Sequence, residues 1–436
     1  MQQAVETIQS PLERSLTVAV PVAQIEAETA TRLKELARTV KMQGFRPGKV
    51  PLKMVERHYG FQVRQEVLTE RVQQSFADAV RDQNYRVAGY PRFEPVQSGT
   101  GANDVEFKAI FEVYPEIALG DLGAHKVVRP VTVVEEADVD ATIATLRKQR
   151  APYERVERAA QDADLANVDF EGRVAGELFD GGSAKNFTVV LGEGRMLPAF
   201  EAALRGMKEG ETKSFALTFP EDYQENLKGK TAEFTVTVNQ VAEPRLPEVD
   251  AEFAKALGVE DGDVTRMRGE IRQNVEREVK KRIAARLKEQ VMDGLLGAGS
   301  LEVPRALLEG EIARLREAAM AEFKERGMST DQLQLPADLF AERAGRRVKL
   351  MLLISDLVRR NNLDARPEQV RKVIEEHAES FEQPAEMVRW YYAEPGRLDE
   401  VRAVVMEDNV VEWALGRMAV ADEQTPFATL MGTRKA

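Results

Sequence analysis

The side chains that most often carry enzyme chemistry are scarce or poorly spaced in this sequence. Cysteine is absent, which excludes disulfide bonds, a cysteine nucleophile and thiolate metal sites. The three histidines, His58, His125 and His377, fit no metal-binding or triad spacing. The sequence has no GxxxxGK[ST] phosphate loop and no strand-linked GxGxxG motif. We therefore expect no metal and no cofactor, and acid–base or nucleophilic catalysis has no candidate residue.

A series of motifs between residues 168 and 223 instead combines phenylalanines with glycine turns. In chain order these are Val168-Asp169-Phe170-Glu171-Gly172, Leu178-Phe179-Asp180-Gly181-Gly182, Phe187 with Leu191-Gly192, Gly194-Arg195-Met196-Leu197-Pro198-Ala199-Phe200-Glu201, Gly206-Met207 and Phe219-Pro220-Glu221-Asp222-Tyr223. Their order and spacing resemble those of FK506-binding-protein-type prolyl isomerases. The resemblance implies a pocket whose walls and floor are Phe170, Phe179, Phe187, Met196, Leu197, Phe200 and Phe234. It also implies that Asp180 and the Tyr223 hydroxyl hold or orient the substrate carbonyls.

Such a pocket can catalyse rotation about an X-Pro bond without a strong acid or base. The barrier of ~18–20 kcal/mol arises because amide resonance is lost in the twisted state. The twisted amide is less polar than the planar one. A dry apolar pocket therefore penalises the planar ground state more than the transition state, which lowers the barrier without proton transfer.

The composition predicts several domains with a large surface. The chain has 436 residues, of which 43% are hydrophobic, 31% charged and 6% aromatic. This balance favours elongated helices or thin domains. The longest apolar run, Leu350 to Ile354, is far below the ~20 residues needed to span a bilayer. No secretory signal is visible at the N-terminus. We expect a cytoplasmic protein with no membrane contact.

A basic segment near the N-terminus stands out in a chain of net charge −12. Residues 32–57 hold eight basic residues against Glu35 and Glu56. Within this segment, Gly44 to Pro51 contains two glycines and two prolines and must be a loop. Taken alone, this pattern fits a solvated helix face and turn as well as a docking surface for a polyanion or an acidic protein.

Hydrophobic periodicity divides the chain into three kinds of structure. In residues 1–113 it predicts an α+β arrangement: strands at 14–20, 86–95 and 105–113, and helices at 22–42 and 52–83. A β-rich stretch at 127–134 and a helix at 135–150 follow. Strands at 168–174, 186–190, 212–217 and 232–241 predict a small antiparallel sheet domain. From 250 to 422 the pattern is almost wholly helical, with the later helices at 304–326, 336–360, 367–379, 384–392 and 397–419.

One helix carries an apolar stripe with an unusual period. Its apolar residues recur every four positions: Met267, Ile271, Val275, Val279, Ile283, Leu287, Val291 and Leu295. Each step overshoots a full turn by about 40°, so the stripe winds around the helix. This predicts a long arm helix that meets different neighbours at its two ends. An ordinary core helix is the alternative.

Taken as a whole, the sequence resembles the bacterial trigger factor family, down to Thr425–Met431 near its C-terminus. The resemblance implies a multidomain α+β protein, elongated overall. Its parts would be an N-terminal ribosome-binding domain (1–113), a linker that packs with the C-terminal domain (114–150), an isomerase domain (151–246) and an all-α chaperone domain with long arm helices (247–436). It also implies a link to cell division and the cell cycle.

The resemblance assigns the loop and its partners. The ribosome-docking signature comprises Gly44, Phe45, Arg46, Pro47, Gly48 and Lys49. Phe45 would be an apolar anchor, Arg46 and Lys49 would reach phosphate or carboxylate, and the glycines would permit a tight tip. The implied partners are nascent and unfolded polypeptides and the large ribosomal subunit near the nascent-chain tunnel exit, through ribosomal protein and rRNA. A homodimer off the ribosome is also implied.

Two other functions remain open on the residues alone. One is a stand-alone isomerase whose helical region serves dimerisation or scaffolding, with no ribosome docking. The other is an interaction protein with an inactive isomerase fold, since Ala199 stands where the isomerase family commonly has glycine. The basic loop separates a ribosome-docked chaperone with a built-in isomerase from a plain isomerase, which would not need the loop.

Overall fold

The computed structural model describes residues 10–432, except 44, 46–48, 97–102, 222, 224–226, 326–334, 380, 382 and the side chain of Asp180. The described chain forms two compact units. One unit takes in the chain up to Arg129 together with Ala285–Asp422. The other takes in Pro130–Ala284 and the chain from Glu423 onwards.

The N-terminal elements form a sheet that is covered by two helices. They are β1 (Glu13–Pro21), α1 (Val22–Thr39), α2 (Leu52–Asp82), β2 (Val87–Pro95) and β3 (Asp104–Val113). The strands are antiparallel in the order β1-β3-β2. Alternation in β1 turns Val18 and Val20 towards the buried core that Ile25 of α1 and Val55 of α2 complete. The predicted α+β arrangement of this segment is confirmed.

The middle of the chain forms a five-stranded antiparallel sheet. The elements of this part of the chain are β4 (Ala118–Leu119), β5 (Lys126–Val131), α3 (Glu136–Gln149), β6 (Tyr153–Arg155), β7 (Leu165–Val174), β8 (Glu177–Val190), α4 (Pro198–Leu204), β9 (Thr212–Thr218) and β10 (Thr231–Pro244). Of these, the strands β6 to β10 form the sheet. The strand order is β6-β10-β7-β8, and β9 pairs with the other end of β10. The predicted strand at 186–190 was too short. Residues from Glu177 onwards also pair with β7, and this pairing contains two register shifts. The sequence here is polar and rich in glycine, so it shows no alternation that would predict the longer strand.

The rest of the described chain is mostly helical. Its elements are α5 (Ala251–Ala256), α6 (Val264–Ala298), β11 (Gly299–Ser300), α7 (Arg305–Glu325), α8 (Asp338–Asn361), α9 (Pro367–Ala378), α10 (Pro384–Tyr392), α11 (Pro395–Leu415), β12 (Ala419–Gln424) and α12 (Phe427–Met431). The helix predicted at 397–419 therefore ends earlier, and the helical prediction to residue 422 is wrong for β12. This strand pairs with β5, and its fully exposed residues give no hydrophobic alternation that could reveal it.

The winding stripe of α6 meets different neighbours at its two ends, as predicted. Met267, Ile271, Val275 and Val279 lie in a buried cluster with residues of α3. Val291 and Leu295 lie in another cluster, with residues of α8 and α11. Of the helices in the described part of the chain, none combines the length and apolarity that crossing a membrane requires.

Candidate active site

Most of the predicted pocket residues are carried by β7, β8, α4 and β10, with Met196 and Leu197 directly before α4. Phe234 of β10 lies at the centre of the group. Phe234 pairs across the sheet with Gly172 of β7 and with Phe215 of β9. A Cβ at position 172 would lie 2.5 Å from Cε1 of Phe234, so a glycine is required for the ring to occupy this place. The sheet register therefore sets the position of the central ring.

A network of aromatic rings surrounds Phe234. Its ring centroid lies 5.6 Å from that of Phe200 and 6.0 Å from that of Phe215. The rings of Phe170, Phe179 and Phe219 follow at 6.3, 6.1 and 6.5 Å. Most of these pairs are edge-to-face or tilted, which is the favoured geometry for aromatic contacts. Phe187 joins the network through Phe170, at 5.6 Å.

Burial separates a floor from walls. Phe200 and Phe234 are buried, with 2% and 6% of their surfaces exposed. The other five predicted apolar residues are only partly buried against the same cluster: Phe170, Phe179, Phe187, Met196 and Leu197. The structure thus brings all seven predicted apolar residues together, and five of them can contact a bound molecule.

The two predicted polar residues are less fully defined. Tyr223 is exposed, and its ring stacks on Phe219 at 4.9 Å, which places it at the rim of the aromatic cluster. The side chain of Asp180 lies outside the described residues. Ala199 lies exposed in the first turn of α4, so its methyl group enters no buried wall.

A buried carboxylate supports the loop that leads to Met196. Glu201 is 4% exposed, and its two oxygens accept the backbone N–H groups of Gly192 and Gly194, each at 3.1 Å. Arg205 lies one helical turn away, at 3.6 Å from the same carboxylate. These contacts satisfy a charge that would otherwise be costly to bury, and they fix the loop against α4.

A second carboxylate supports the bend beside Phe187. Asp169 accepts hydrogen bonds from the backbone N–H of Asn186 and from Asn239 Nδ2, both at 2.7 Å. Asn186 has a φ of +52°, a conformation that asparagine tolerates better than most residues. The two hydrogen bonds favour the ionised form and hold the pKa of Asp169 below its ordinary value.

The arrangement suits binding of an apolar segment rather than proton transfer. The described walls and floor are aromatic or aliphatic, and the two carboxylates above are occupied with backbone and amide donors. Within the part of the chain that the structure describes, no group of three or more histidine, aspartate or glutamate side chains could hold a metal ion. The partly buried walls therefore offer an apolar surface beside the buried floor.

The predicted docking loop is described only in part. Phe45 is 37% exposed, and its backbone N–H donates to the carbonyl oxygen of Met42 at 3.1 Å. Val50 is buried in the N-terminal core and anchors the other end of the loop. Lys49 is exposed between them. The predicted residues Gly44, Arg46, Pro47 and Gly48 lie outside the described residues.

The basic segment around the loop carries less free charge than the sequence indicates. Arg32 is paired with Glu70 of α2, and its Nη2 lies 3.9 Å from Glu28 Oε1. The hydrogen bond to Arg32 holds the pKa of Glu70 below its ordinary value. Arg32 therefore joins α1 to α2 through its ion pair with Glu70.

Three family models match successive parts of the chain. Residues 1–146 match the model described as bacterial trigger factor protein, and residues 263–416 match the model of its C-terminus. Between them, residues 156–239 match the model described as FKBP-type peptidyl-prolyl cis-trans isomerase. The isomerase match includes the whole aromatic network.

Relatives match over nearly the full chain. The trigger factor of Aromatoleum aromaticum is 53% identical over 434 residues, which cover 99% of both chains. That of Azoarcus sp. strain BH72 is 50% identical over 432 residues, which cover 99% of this chain and 98% of the relative. The chain belongs to the trigger factor family. A solved structure titled "Promiscuous Substrate Recognition in Folding and Assembly Activities of the Trigger Factor Chaperone" is 19% identical, covers 94% of this chain and 98% of its own, and has a TM-score of 0.46.

As a member of the trigger factor family, the chain is a ribosome-associated chaperone. It binds nascent and unfolded polypeptides and catalyses cis–trans isomerisation of X-Pro bonds. The stand-alone isomerase hypothesis is not favoured, because trigger factor segments flank the isomerase segment on both sides.

The structure also adds residues to the candidate site that the sequence analysis missed. Phe215 and Phe219 complete the ring network around Phe234. Gly172 and Gly182 leave room for the rings of Phe234 and Phe179, since a Cβ at position 182 would lie 2.9 Å from the Phe179 ring. The available signal was strand alternation, which turns Phe215 to the same face of the sheet as Phe234.

Proposed function

We propose that the aromatic cluster is the site at which the isomerase turns over its substrate. Phe200 and Phe234 form its floor, and Phe170, Phe179, Phe187, Met196 and Leu197 form its walls. Asp180 and Tyr223 orient the carbonyls that flank the proline. The observation that carries this proposal is the shared ring network, in which buried floor rings contact half-exposed wall rings.

The geometry favours catalysis by desolvation. A proline ring that displaces water from the half-exposed walls leaves its preceding amide in apolar surroundings. Because the planar amide is more polar than the twisted one, apolar surroundings destabilise the planar ground state more than the twisted transition state. The activation free energy for rotation is therefore lower. Glu201 and Asp169 act only as positioning residues, since each already accepts two hydrogen bonds from the protein.

A wall substitution in the full-length protein tests this proposal. Phe187→Ala removes a half-buried ring that contacts Phe170, and a lost apolar contact of this size is worth roughly 1.5–3 kcal/mol. We expect kcat/KM for a proline tetrapeptide to fall by about 10- to 100-fold. The control is Leu178→Ala, an exposed apolar residue on the same strand. Equal rates in a folded Phe187→Ala protein and its control would remove Phe187 from the site.

We further propose that Gly44 to Lys49 docks on the large ribosomal subunit near the nascent-chain tunnel exit, through ribosomal protein and rRNA. The half-exposed Phe45 and the exposed Lys49, held between anchored positions, support this assignment. Arg46 would add a second cation to the contact. The anchored ends favour binding with little loss of loop entropy.

Ribosome co-sedimentation tests the docking loop. Phe45→Ala, Arg46→Ala and Lys49→Ala together remove one apolar anchor and two charges, at a cost of roughly 3 to 6 kcal/mol. We expect a 10²- to 10⁴-fold loss of affinity with unchanged isomerase activity on a short peptide. Leu339→Ala, Lys280→Ala and Lys281→Ala form the matched triple control, because all three residues are exposed and lie outside the N-terminal segment. Near-normal binding by the folded loop variant would place the docking site elsewhere.

We divide the chain into an N-terminal domain (1–113), a linker (114–150), an isomerase domain (151–246) and a helical domain (247–436). We assign client binding to the helical domain. A groove of about 960 Å³ between α7, α8 and α11 supports this role. Leu350, Met351, Ile354 and Met406 give it an apolar lining. Flexible methionines let one surface fit many unfolded segments.

We also propose three assignments that the family resemblance suggests. The protein acts in the cytoplasm, forms a homodimer when it is off the ribosome, and is linked to cell division and the cell cycle. Sedimentation of the purified protein with and without ribosomes would test the dimer. A single monomeric species at all protein concentrations would contradict it.

A further inference from the structure

Helix α2 carries an aromatic side chain that is largely exposed. Phe61 is 81% exposed, although it lies in a helix whose Val55, Val63 and Val67 are buried in the N-terminal core. In helical projection Phe61 points away from those valines. Single exposed apolar residues are common on protein surfaces, so Phe61 is informative only together with the residues beside it.

Three cations lie on the same face of α2 as Phe61. At 100° per residue, Lys53, Arg57 and Arg64 fall within about 80° of one another and of Phe61 in projection. They extend along about 16 Å of helix. All three are exposed, and none is in an ion pair with any residue that the structure describes. We call Lys53, Arg57, Phe61 and Arg64 the α2 stripe.

Two acidic residues of this part of α2, Glu66 and Glu70, lie on other faces and have partners of their own. Glu70 is paired with Arg32, and Glu66 accepts a hydrogen bond from Gln62. Glu56, three residues after Lys53, projects about 60° from Lys53 and about 100° from Arg57, so it borders the α2 stripe at its N-terminal end. The α2 stripe is therefore a strip of positive charge with an aromatic ring inside it, on a chain whose net charge is −12.

We propose that the α2 stripe binds RNA, with an unpaired base stacked on Phe61 and backbone phosphates on Lys53, Arg57 and Arg64. Charge complementarity selects a polyanion, and the exposed ring selects one that offers flat bases. An acidic protein surface would use the cations but would leave the ring unexplained. The stripe lies directly after the proposed docking loop in the sequence, since α2 begins three residues after Lys49.

This inference rests on the ribosome association of the family and extends it to a second contact. The loop supplies one anchor, and the α2 stripe supplies a separate contact to ribosomal RNA. Because free RNA can be used as the probe, the stripe can be tested independently of the loop.

The first measurement is fluorescence anisotropy of a labelled single-stranded oligouridine, about 20 nucleotides long, with the full-length protein. Phe61→Ala should weaken binding by about 10-fold, and Phe61→Trp should preserve it. The control is Tyr90→Ala, another highly exposed aromatic residue of the N-terminal segment. Since Phe61 is exposed, its loss should leave the fold intact.

The second measurement separates charge from stacking. Arg57→Ala with Arg64→Ala should reduce the slope of log affinity against log salt by about 1.4, since each single-strand phosphate contact contributes about 0.7. Phe61→Ala should leave this slope unchanged. Lys280→Ala with Lys281→Ala removes two exposed cations from α6 and is the matched control.

Ribosome co-sedimentation completes the test. The Phe61 and arginine variants should both bind ribosomes more weakly than their controls, with the same salt behaviour as with free RNA. If both variants bind RNA and ribosomes as the controls do, the proposal is wrong. If they lose ribosomes while the wild-type protein binds no oligouridine at low salt, the stripe contacts a protein and the RNA assignment is overturned. If the loop variant of Phe45, Arg46 and Lys49 bound ribosomes normally, the docking loop would be misplaced but these RNA results would still stand.

Discussion

At the scale of single residues, two glycines shape the isomerase pocket as much as its phenylalanines do. Gly172 and Gly182 lie so close to the rings of Phe234 and Phe179 that an added methyl group would clash with them. The rings cannot easily retreat, because each also contacts the ring of Phe219. The pocket therefore depends on residues that contribute no wall of their own.

Gly172→Ala should displace Phe234 and lower both stability and isomerase activity. Overpacking of this kind costs about 1–3 kcal/mol. The same change at Gly269 of α6, where an added Cβ meets no neighbour, should be neutral or stabilise by up to about 1 kcal/mol. Calorimetric unfolding and proline-peptide turnover of the two variants provide the comparison. Wild-type behaviour of Gly172→Ala in both assays would show that the ring moves freely.

At the scale of elements, α6 shows how the period of a stripe determines which clusters a helix joins. A four-residue repeat rotates by about 40° at each step, so its first and last members cannot face the same neighbour. Val279 accordingly lies in a cluster with Ile143 of α3, while Val291 lies in a cluster with Leu357 of α8. Each half of the helix depends on its own cluster.

Truncating one stripe member at each end should loosen different regions. Val279→Ala should increase amide exchange in α3, and Val291→Ala should increase it in α8. Each deletes buried carbon worth about 1.5 to 3 kcal/mol, which corresponds to roughly 10- to 100-fold faster local exchange. Hydrogen–deuterium exchange with mass spectrometry measures both, with the exposed Lys280→Ala as control. Faster exchange of α8 in Val279→Ala would contradict the separation.

At the scale of the whole molecule, the two ends of the isomerase segment lie next to each other. Strands β6 and β10 pair, with Tyr153 opposite Pro244. The backbone N–H of Arg245 donates to the carbonyl oxygen of Pro152 at 2.8 Å. The segment can therefore be removed with a short joining linker and little strain on the rest of the chain.

Deleting residues 150–246 should abolish isomerase activity but preserve suppression of client aggregation. The α7–α8–α11 groove contains no residue of the deleted segment. Light scattering during refolding of a denatured client measures the retained activity, which should be insensitive to salt if apolar contacts dominate. A folded deletion protein that no longer suppresses aggregation would move the holding function into the isomerase domain.

The sequence by itself determined the elements and the chemistry that local patterns encode. Alternation and helical periods gave most strands and helices, because burying one face imposes a period on the residues that form it. The resemblance of the ordered phenylalanine and glycine motifs to the isomerase family implied the pocket, and the glycines and prolines of the docking loop excluded regular structure. Each of these signals involves residues that are close together in the sequence, so a single sequence is enough to show it.

Only the tertiary structure decided which distant residues meet. It placed Phe215 and Phe219 in the ring network, paired Arg32 with Glu70, and set β12 beside β5. None of these contacts leaves a local period, because each joins residues far apart in sequence through the register of a strand or the packing of a helix. The exposed position of Phe61 was hidden for the same reason, since burial depends on the whole fold rather than on residue type.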